Sequence, residues 1–269
     1  MTLKLLILTD LHLTVDGADI IGLDPWVRFE AALDHALSHH SDADAMILSG
    51  DLTHYGDAAA YTRLAQRLKD VPLPVVPLPG NHDRRAPMIA AFPAETEDDG
   101  FFHRIIETED IRLIALDTLD EAAPDKHSGH LCRVRRAWLD QALDTPKRKI
   151  VITHHPLALT GFDGMDAIRL RDADLVTEVL KSAGTELVIS GHIHRTISGV
   201  WRGLPFAIVK SPCHQMPMRL GPERSDVSSA EPGGYGIVLI EKDGVIVHTS
   251  DTEDAPVIAE KGSATPEGG

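Results

Sequence analysis

The strongest constraint on this chain is an alternation. Short apolar runs recur between helical stretches, and several of the runs stop on a turn rich in Asp, His, Asn and Gly. Leu3 to Thr9 is such a run, and its lack of polar alternation suits a strand buried on both faces. Pro25 opens a helical stretch to about His40, with Trp26, Phe29, Leu33 and Leu37 at helical spacing. Ala45 to Ser49 reads as a second buried strand, Asp57 to Lys69 as a helix, and Leu73 to Leu78 as a proline-marked third strand. Strand and helix alternating in this way predict a layered α/β fold.

Farther along, Phe101 to Ile106 and Ile111 to Leu116 read as a hairpin across a short acidic turn. A helix from about Arg133 to Leu143 leads into a strand, Lys149 to Thr153. Leu170 to Ala183 then reads as a helix and Leu187 to Ser190 as a strand. From Thr196 the signals are β only: Ile197 to Trp201, Pro205 to Val209, and Gly236 to Glu241 turning through an Asp-Gly pair into Val245 to Thr249. We expect one domain over residues 1–252. Within it, residues 216–234 are expected to form a long loop that serves as a lid or a dimer contact, and beyond it residues 253–269 a disordered tail.

Charge narrows the partners. There are 26 basic and 41 acidic residues, a formal net charge of −15. That field repels nucleic-acid backbones and anionic membranes and attracts cations, so we expect neither a long nucleic acid nor a membrane as partner. Cys132 and Cys213 form no metal-binding pair and read as free thiols of a reducing compartment. The first apolar run is too short for a signal peptide, and no stretch reaches the ~18 apolar residues of a membrane span. The expected location is the cytoplasm.

Five predicted strand ends carry the chemistry: Thr9-Asp10-Leu11-His12, Ser49-Gly50-Asp51, Pro79-Gly80-Asn81-His82-Asp83, Thr153-His154-His155 and Ser190-Gly191-His192-Ile193-His194. In open α/β sheets the loops beyond the carboxyl ends of the strands form the ligand crevice. Taken singly, each segment is ordinary turn chemistry. Repeated at five strand ends, they aim acids, imidazoles and an amide at one place, and such a cluster is costly without compensating charge, which metal ions supply.

Asp-x-His, Gly-Asp, Gly-Asn-His-Asp, a His after a strand, and Gly-His-x-His, in that order, resemble the motifs of the calcineurin-like dinuclear metallophosphoesterases. The resemblance spans roughly Leu3 to Val209. Leu78 to Asp83 and Ser211 to Gln215 are similar to the bacterial class III cyclic-nucleotide phosphodiesterases and their glycerophosphodiesterase relatives. The resemblance implies a four-layer αββα sandwich of two mixed sheets flanked by helices. It implies that Asp10, His12 and His194 hold one cation, that Asp51 bridges to a second, and that Asn81, His154 and His192 complete the second site. Mixed imidazole and oxygen ligands suit Fe, Mn, Co or Zn better than Mg or Ca. A bridging hydroxide between cations roughly 3.5–4 Å apart is the nucleophile that this family implies, attacking phosphorus in line with the leaving alkoxide.

The resemblance also makes His82 the group that protonates the leaving oxygen or binds phosphate, and lets Asn81 steady the phosphoryl charge. Asp83 is expected either to orient His82 by accepting its other N–H or to cap the Arg84–Ala91 segment. His54 and His214 are expected near the substrate. His155 reads as supporting or exposed, and Arg84 and Arg85 as phosphate contacts or solvent-facing. His35, His39 and His40 read as surface or core residues of a helix, and His103, His127, His130 and His248 carry no motif. The expected substrate is a small phosphodiester, a 3′,5′- or 2′,3′-cyclic nucleotide first, with a possible homodimer as the working form. A glycerophosphodiester, or a phosphomonoester or pyrophosphate at the same site, is the alternative. A non-enzymatic scaffold or metal store fits poorly with seven ligand positions placed in order after strands.

Overall fold

The computed structural model describes residues 3–15, 18–97, 99–222, 227–254 and 256. The first half is β1 (Leu3–Leu8), α1 (Pro25–His39), β2 (Ala45–Ser49), α2 (Ala58–Leu68), β3 (Val75–Leu78), α3 (Arg85–Ala91) and the hairpin β4 (Arg104–Glu107) and β5 (Ile111–Leu116). The second half is α4 (Arg133–Leu143), β6 (Arg148–Thr153), α5 (Asp163–Asp166), α6 (Ala173–Ser182), β7 (Thr185–Ser190), β8 (Ile197–Trp201), β9 (Leu204–Ile208), β10 (Gly234–Glu241) and β11 (Gly244–Asp251).

The strands form two mixed sheets, one in the order β11-β10-β1-β2-β3 and the other in the order β4-β5-β6-β7-β9-β8. Successive side chains of the central strands point to opposite faces, and both faces are covered. Leu5, Ile7, Ala45 and Ile47 meet Leu113, Ile150, Ile152 and Ile189 between the sheets. Leu6, Leu8, Met46 and Leu48 pack outward on Phe29 and Leu33 of α1 and on Tyr61 and Leu64 of α2. Ile114, Val151 and Val188 pack outward on Leu139 of α4 and on Val176 and Leu180 of α6. The result is the four-layer αββα sandwich.

Local chemistry sets the element ends. Asp24 caps α1 by accepting from the backbone N–H groups of Trp26 and Val27, with Pro25 at the first helical position. Pro77 sits in β3, an edge strand, where a missing N–H costs least. The third strand starts at Val75, because Pro74 gives only its carbonyl to Met46 N–H. The sixth helix starts at Ala173 because Leu170 to Asp172 turn first, Ala173 N–H bonding Leu170 O. Parallel pairing of β1 with β2 and β2 with β3, and of β5 with β6 and β6 with β7, brings six strand ends to one rim. Of the loop at 216–234, residues 223–226 lie outside the described residues; of the tail, residue 255 and residues 257–269 do.

Candidate metal centre

Beyond β1 and β2 the two loops run side by side. Asp10 N–H bonds Gly50 O at 2.9 Å, His12 N–H bonds Asp51 O at 2.8 Å, and His54 N–H bonds Leu13 O at 2.9 Å. The sheets are stitched together at the same rim, where His192 N–H donates to Asp10 Oδ2 at 2.9 Å. Two glycines make the approach possible. A Cβ on Gly50, which holds φ +105°, would lie 2.3 Å from His154 Nδ1, and one on Gly191 would lie 1.9 Å from Thr9 Oγ1.

The seven expected ligand positions come together, all buried. One ligand atom from each of Asp10, His12, Asp51 and His194 lies within 4.8 Å of the others. His194 Nε2 is 3.0 Å from His12 Nε2 and 3.3 Å from Asp10 Oδ1. Across Asp51, His154 Nε2 is 3.4 Å from Asp51 Oδ2 and 3.1 Å from Asn81 Oδ1, and the His192 ring centre is 5.1 Å from that of His154.

The hydrogen bonds show that these residues fit cations. His154 Nδ1–H donates to Ser49 O at 3.0 Å, and His194 Nδ1–H donates to His214 O at 2.9 Å. Those bonds fix the tautomers and turn each Nε2 lone pair toward a carboxylate, the usual outer support of a metal-ligating histidine. His192 Nε2 is buried with no hydrogen-bond partner. An ion bound there would give that atom the partner it lacks. Burial lowers the proton affinity of His154, but Asp51 and Asp10 overcome it and push its pKa up to about 9. Burial, reinforced by His154, drives His192 down to about 3. Burial opposes ionisation of Asp51, yet His154 and His82 hold its carboxyl well below the usual range.

A cavity of about 330 Å³ opens over this cluster. Its lining mixes polar side chains, among them His54, Asn81, His82, His127 and His214, with apolar ones, among them Ile20, Ile21, Met165, Ile168, Met216 and Val227. Among the described residues that line it, none is lysine or arginine. His54 and His214 both line this cavity, and burial pushes both down, to about 4 and about 2. His82 N–H donates to Asp51 Oδ1 at 2.8 Å, and its Nδ1–H donates to His54 O at 2.9 Å, which leaves Nε2 outside that bond.

Asp83 departs from both expectations. Its carboxylate accepts from Gly80 N–H (2.8 Å), Leu52 N–H (3.0 Å), Thr53 N–H (3.0 Å) and Tyr61 Oη–H (2.8 Å), and receives nothing from the His82 ring. It caps no helix either, because the residue before α3 is Arg84. Buried among backbone donors, Asp83 ties the second strand's loop to the third's and acts on the site only through them. Burial with the nearby Asp51 charge raises its pKa to about 6. The two arginines are braces as well. Arg85 pairs with Asp117 at 2.8 Å and with Glu121, and Arg84 donates to Asp83 O.

His127 was missed by motif reading. It arrives on the loop after β5, a sixth strand end, and its Nδ1 accepts from Asn81 Nδ2 at 3.1 Å. That loop is held by buried His155, whose Nε2–H donates to His127 O at 3.0 Å while its Nδ1 accepts from Thr118 Oγ1 at 2.8 Å. The one available signal was Leu116-Asp117-Thr118, another apolar run closed by polar residues.

This fold and rim define a dinuclear-type metallophosphoesterase. The calcineurin-like phosphoesterase family model matches residues 3–196, and the chain belongs to that family. It is 38% identical over 251 residues to a probable cyclic nucleotide phosphodiesterase of Rhodopseudomonas palustris, covering 91% of each chain. It is 29% identical to the 3′,5′-cyclic adenosine monophosphate phosphodiesterase CpdA of Escherichia coli K12, covering 79% of this chain and 77% of that one. Among solved structures, a dimetal phosphatase from Danio rerio superposes with a TM-score of 0.68 at 12% identity, over 94% of this chain and 97% of that one, a likeness of fold.

Proposed function

We propose that the chain hydrolyses a small phosphodiester, a cyclic nucleotide first, with Asp10, His12, Asp51 and His194 holding one cation and Asp51, Asn81, His154 and His192 a second. The observation that carries this is the cavity of about 330 Å³ over the buried Asp/His/Asn cluster, a size that suits a mononucleotide rather than a polymer, with polar lining residues for a phosphate and apolar ones for a base. With no lysine or arginine among its described lining residues and burial holding His54 and His214 neutral, the substrate's negative charge would be balanced by bound cations. The names of the relatives from R. palustris and E. coli support the same reading.

Bound cations supply Lewis-acid charge and lower the pKa of water. The chain's own residues do the rest. Asp51 spans both halves of the site. Asn81 keeps Oδ1 toward the cations because His127 holds its Nδ2, and His82 passes a proton from Nε2 to the departing alkoxide. Imidazole and oxygen donors favour Fe, Mn, Co or Zn. On this reading residues 1–252 form one catalytic domain, since β10 and β11 complete the sheet that β1 begins. The 216–234 loop is its lid or a homodimer contact, with Met216 and Val227 lining the cavity. Free Cys132 and Cys213 fit the cytoplasm.

The test compares 3′,5′-cAMP, 2′,3′-cAMP, bis(p-nitrophenyl) phosphate and p-nitrophenyl phosphate on protein whose metal content is measured. Two ions per chain and faster diester than monoester hydrolysis are expected. Faster monoester hydrolysis overturns the substrate class, and absence of transition metal after reconstitution overturns the dinuclear site.

A further inference from the structure

We propose that His35, His39 and Asp254 form a separate metal-binding site, which takes one borderline divalent cation such as zinc or nickel and clasps the chain beyond β11 onto α1. His35 and His39 are one helical turn apart near the carboxyl end of α1. Their rings stack with centres 4.2 Å apart and planes 22° apart. Both Nε2 atoms face the same carboxylate, His35 at 3.1 Å from Asp254 Oδ1 and His39 at 3.4 Å from Asp254 Oδ2. One ligand atom from each of the three lies within 4.8 Å of the others.

The other ring nitrogens decide what this arrangement needs. His39 Nδ1–H donates to His35 O at 2.9 Å, so the Nε2 of a neutral His39 ring turns a lone pair toward an anionic oxygen. With His35 Nδ1–H donating to the hydroxyl oxygen of buried Tyr235 on β10 at 2.9 Å, its Nε2 lone pair also turns toward Asp254, 3.1 Å from Oδ1. One divalent cation satisfies both lone pairs and the carboxylate together. The support is the same kind seen at the buried centre, an Nδ1 held by an oxygen behind a free Nε2. The carboxyl end of a helix also favours a cation. Two imidazoles and one carboxylate select zinc, nickel, cobalt or copper over magnesium or calcium.

The reading of His35 and His39 as plain surface or core residues came from α1 alone. It had no means of placing Asp254 more than 200 residues later. The site shares no residue with the buried centre, so the proposal stands or falls apart from the proposed reaction.

The test uses the full chain stripped with a chelator, reloaded with a slight excess of Zn(II) or Ni(II), desalted and analysed for metal. The wild type should carry one ion per chain more than the His35→Gln/His39→Gln double variant, and added Mg(II) should not displace it. Zinc should slow amide exchange around residues 252–254 in the wild type and not in the double variant. Bis(p-nitrophenyl) phosphate hydrolysis should be equal in the two proteins. His39→Ala and Asp254→Asn, whose side chains are 43% and 70% exposed, guard against misfolding and should lose the same ion. Equal metal content in wild type and variants overturns the site. A difference of one ion with unchanged exchange overturns the clasp.

Discussion

Five proposed ligands hold left-handed backbone: Asp10 at φ 55°, His12 at 50°, Asp51 at 50°, His192 at 72° and His194 at 54°. Such a conformation costs about 1–2 kcal/mol per non-glycine residue, although Asp, Asn and His tolerate it best. The tight turns aim side chains inward within one or two residues of each strand end, so the strain belongs to the way the site is built. Asp51→Ala should leave at least one cation fewer per chain by metal analysis, since Asp51 touches both halves of the cluster. His82→Ala should retain the metals and slow turnover by about 10²–10⁴-fold, most for esters with poor leaving groups. Equal rates on every ester would remove His82 from the proton path. At this scale the ligand positions were legible, because each sits within four residues of a predicted strand end. His127 was not, because its role comes from a contact with Asn81 that only the folded loop creates.

Among elements, the loops after β2 and β3 depend on a single carboxylate. Asp83→Ala would strand three buried backbone N–H groups, each worth about 1–3 kcal/mol, so a loss of about 3 kcal/mol or more is expected. It should lower the urea midpoint with little change in slope. Tyr61→Phe removes one donor and should cost about 1 kcal/mol. The seam between β4 and α4 carries a pH dependence of its own. His103 stacks on Trp138 at 4.0 Å, and burial lowers its pKa below 6.5 against the pull of Asp99. The unfolded chain then binds the proton more readily, so stability is full above pH 6.5 and falls as pH drops below it. His103→Gln should flatten that acid limb in denaturant titrations followed by Trp138 fluorescence. Strands and long helices were readable from apolar spacing. The role of Asp83 was not, since a Gly-Asn-His-Asp turn shows that an acid is present and not which amides it receives.

For the whole molecule, the proposed ligands come from both sheets, Asp10, His12, Asp51 and Asn81 from one rim and His154, His192 and His194 from the other. Cations bound there cross-link the two halves of the sandwich. A hundredfold excess over the dissociation constant would contribute about 2.7 kcal/mol for each ion. Chelation should therefore lower the melting temperature by roughly 5–10 °C per ion, and readdition should restore it. A melting temperature indifferent to chelator would mean that the sheets do not share a cation. The layered class was legible from alternation. The division of strands between two sheets was not, because periodicity says that a strand is buried on both faces and not which strand lies beside it.

The pairing of β1 with both β2 and β10 has a consequence for how the protein is made. The first strand leaves the ribosome with one hydrogen-bonding edge that nothing can occupy until Gly234–Glu241 has been synthesised. At about 5–20 residues per second that edge stays open for roughly 10–50 s. Every nascent chain passes through an interval in which an apolar strand is a template for another chain, and slow elongation or delayed chaperone capture should fall hardest on this protein during that interval.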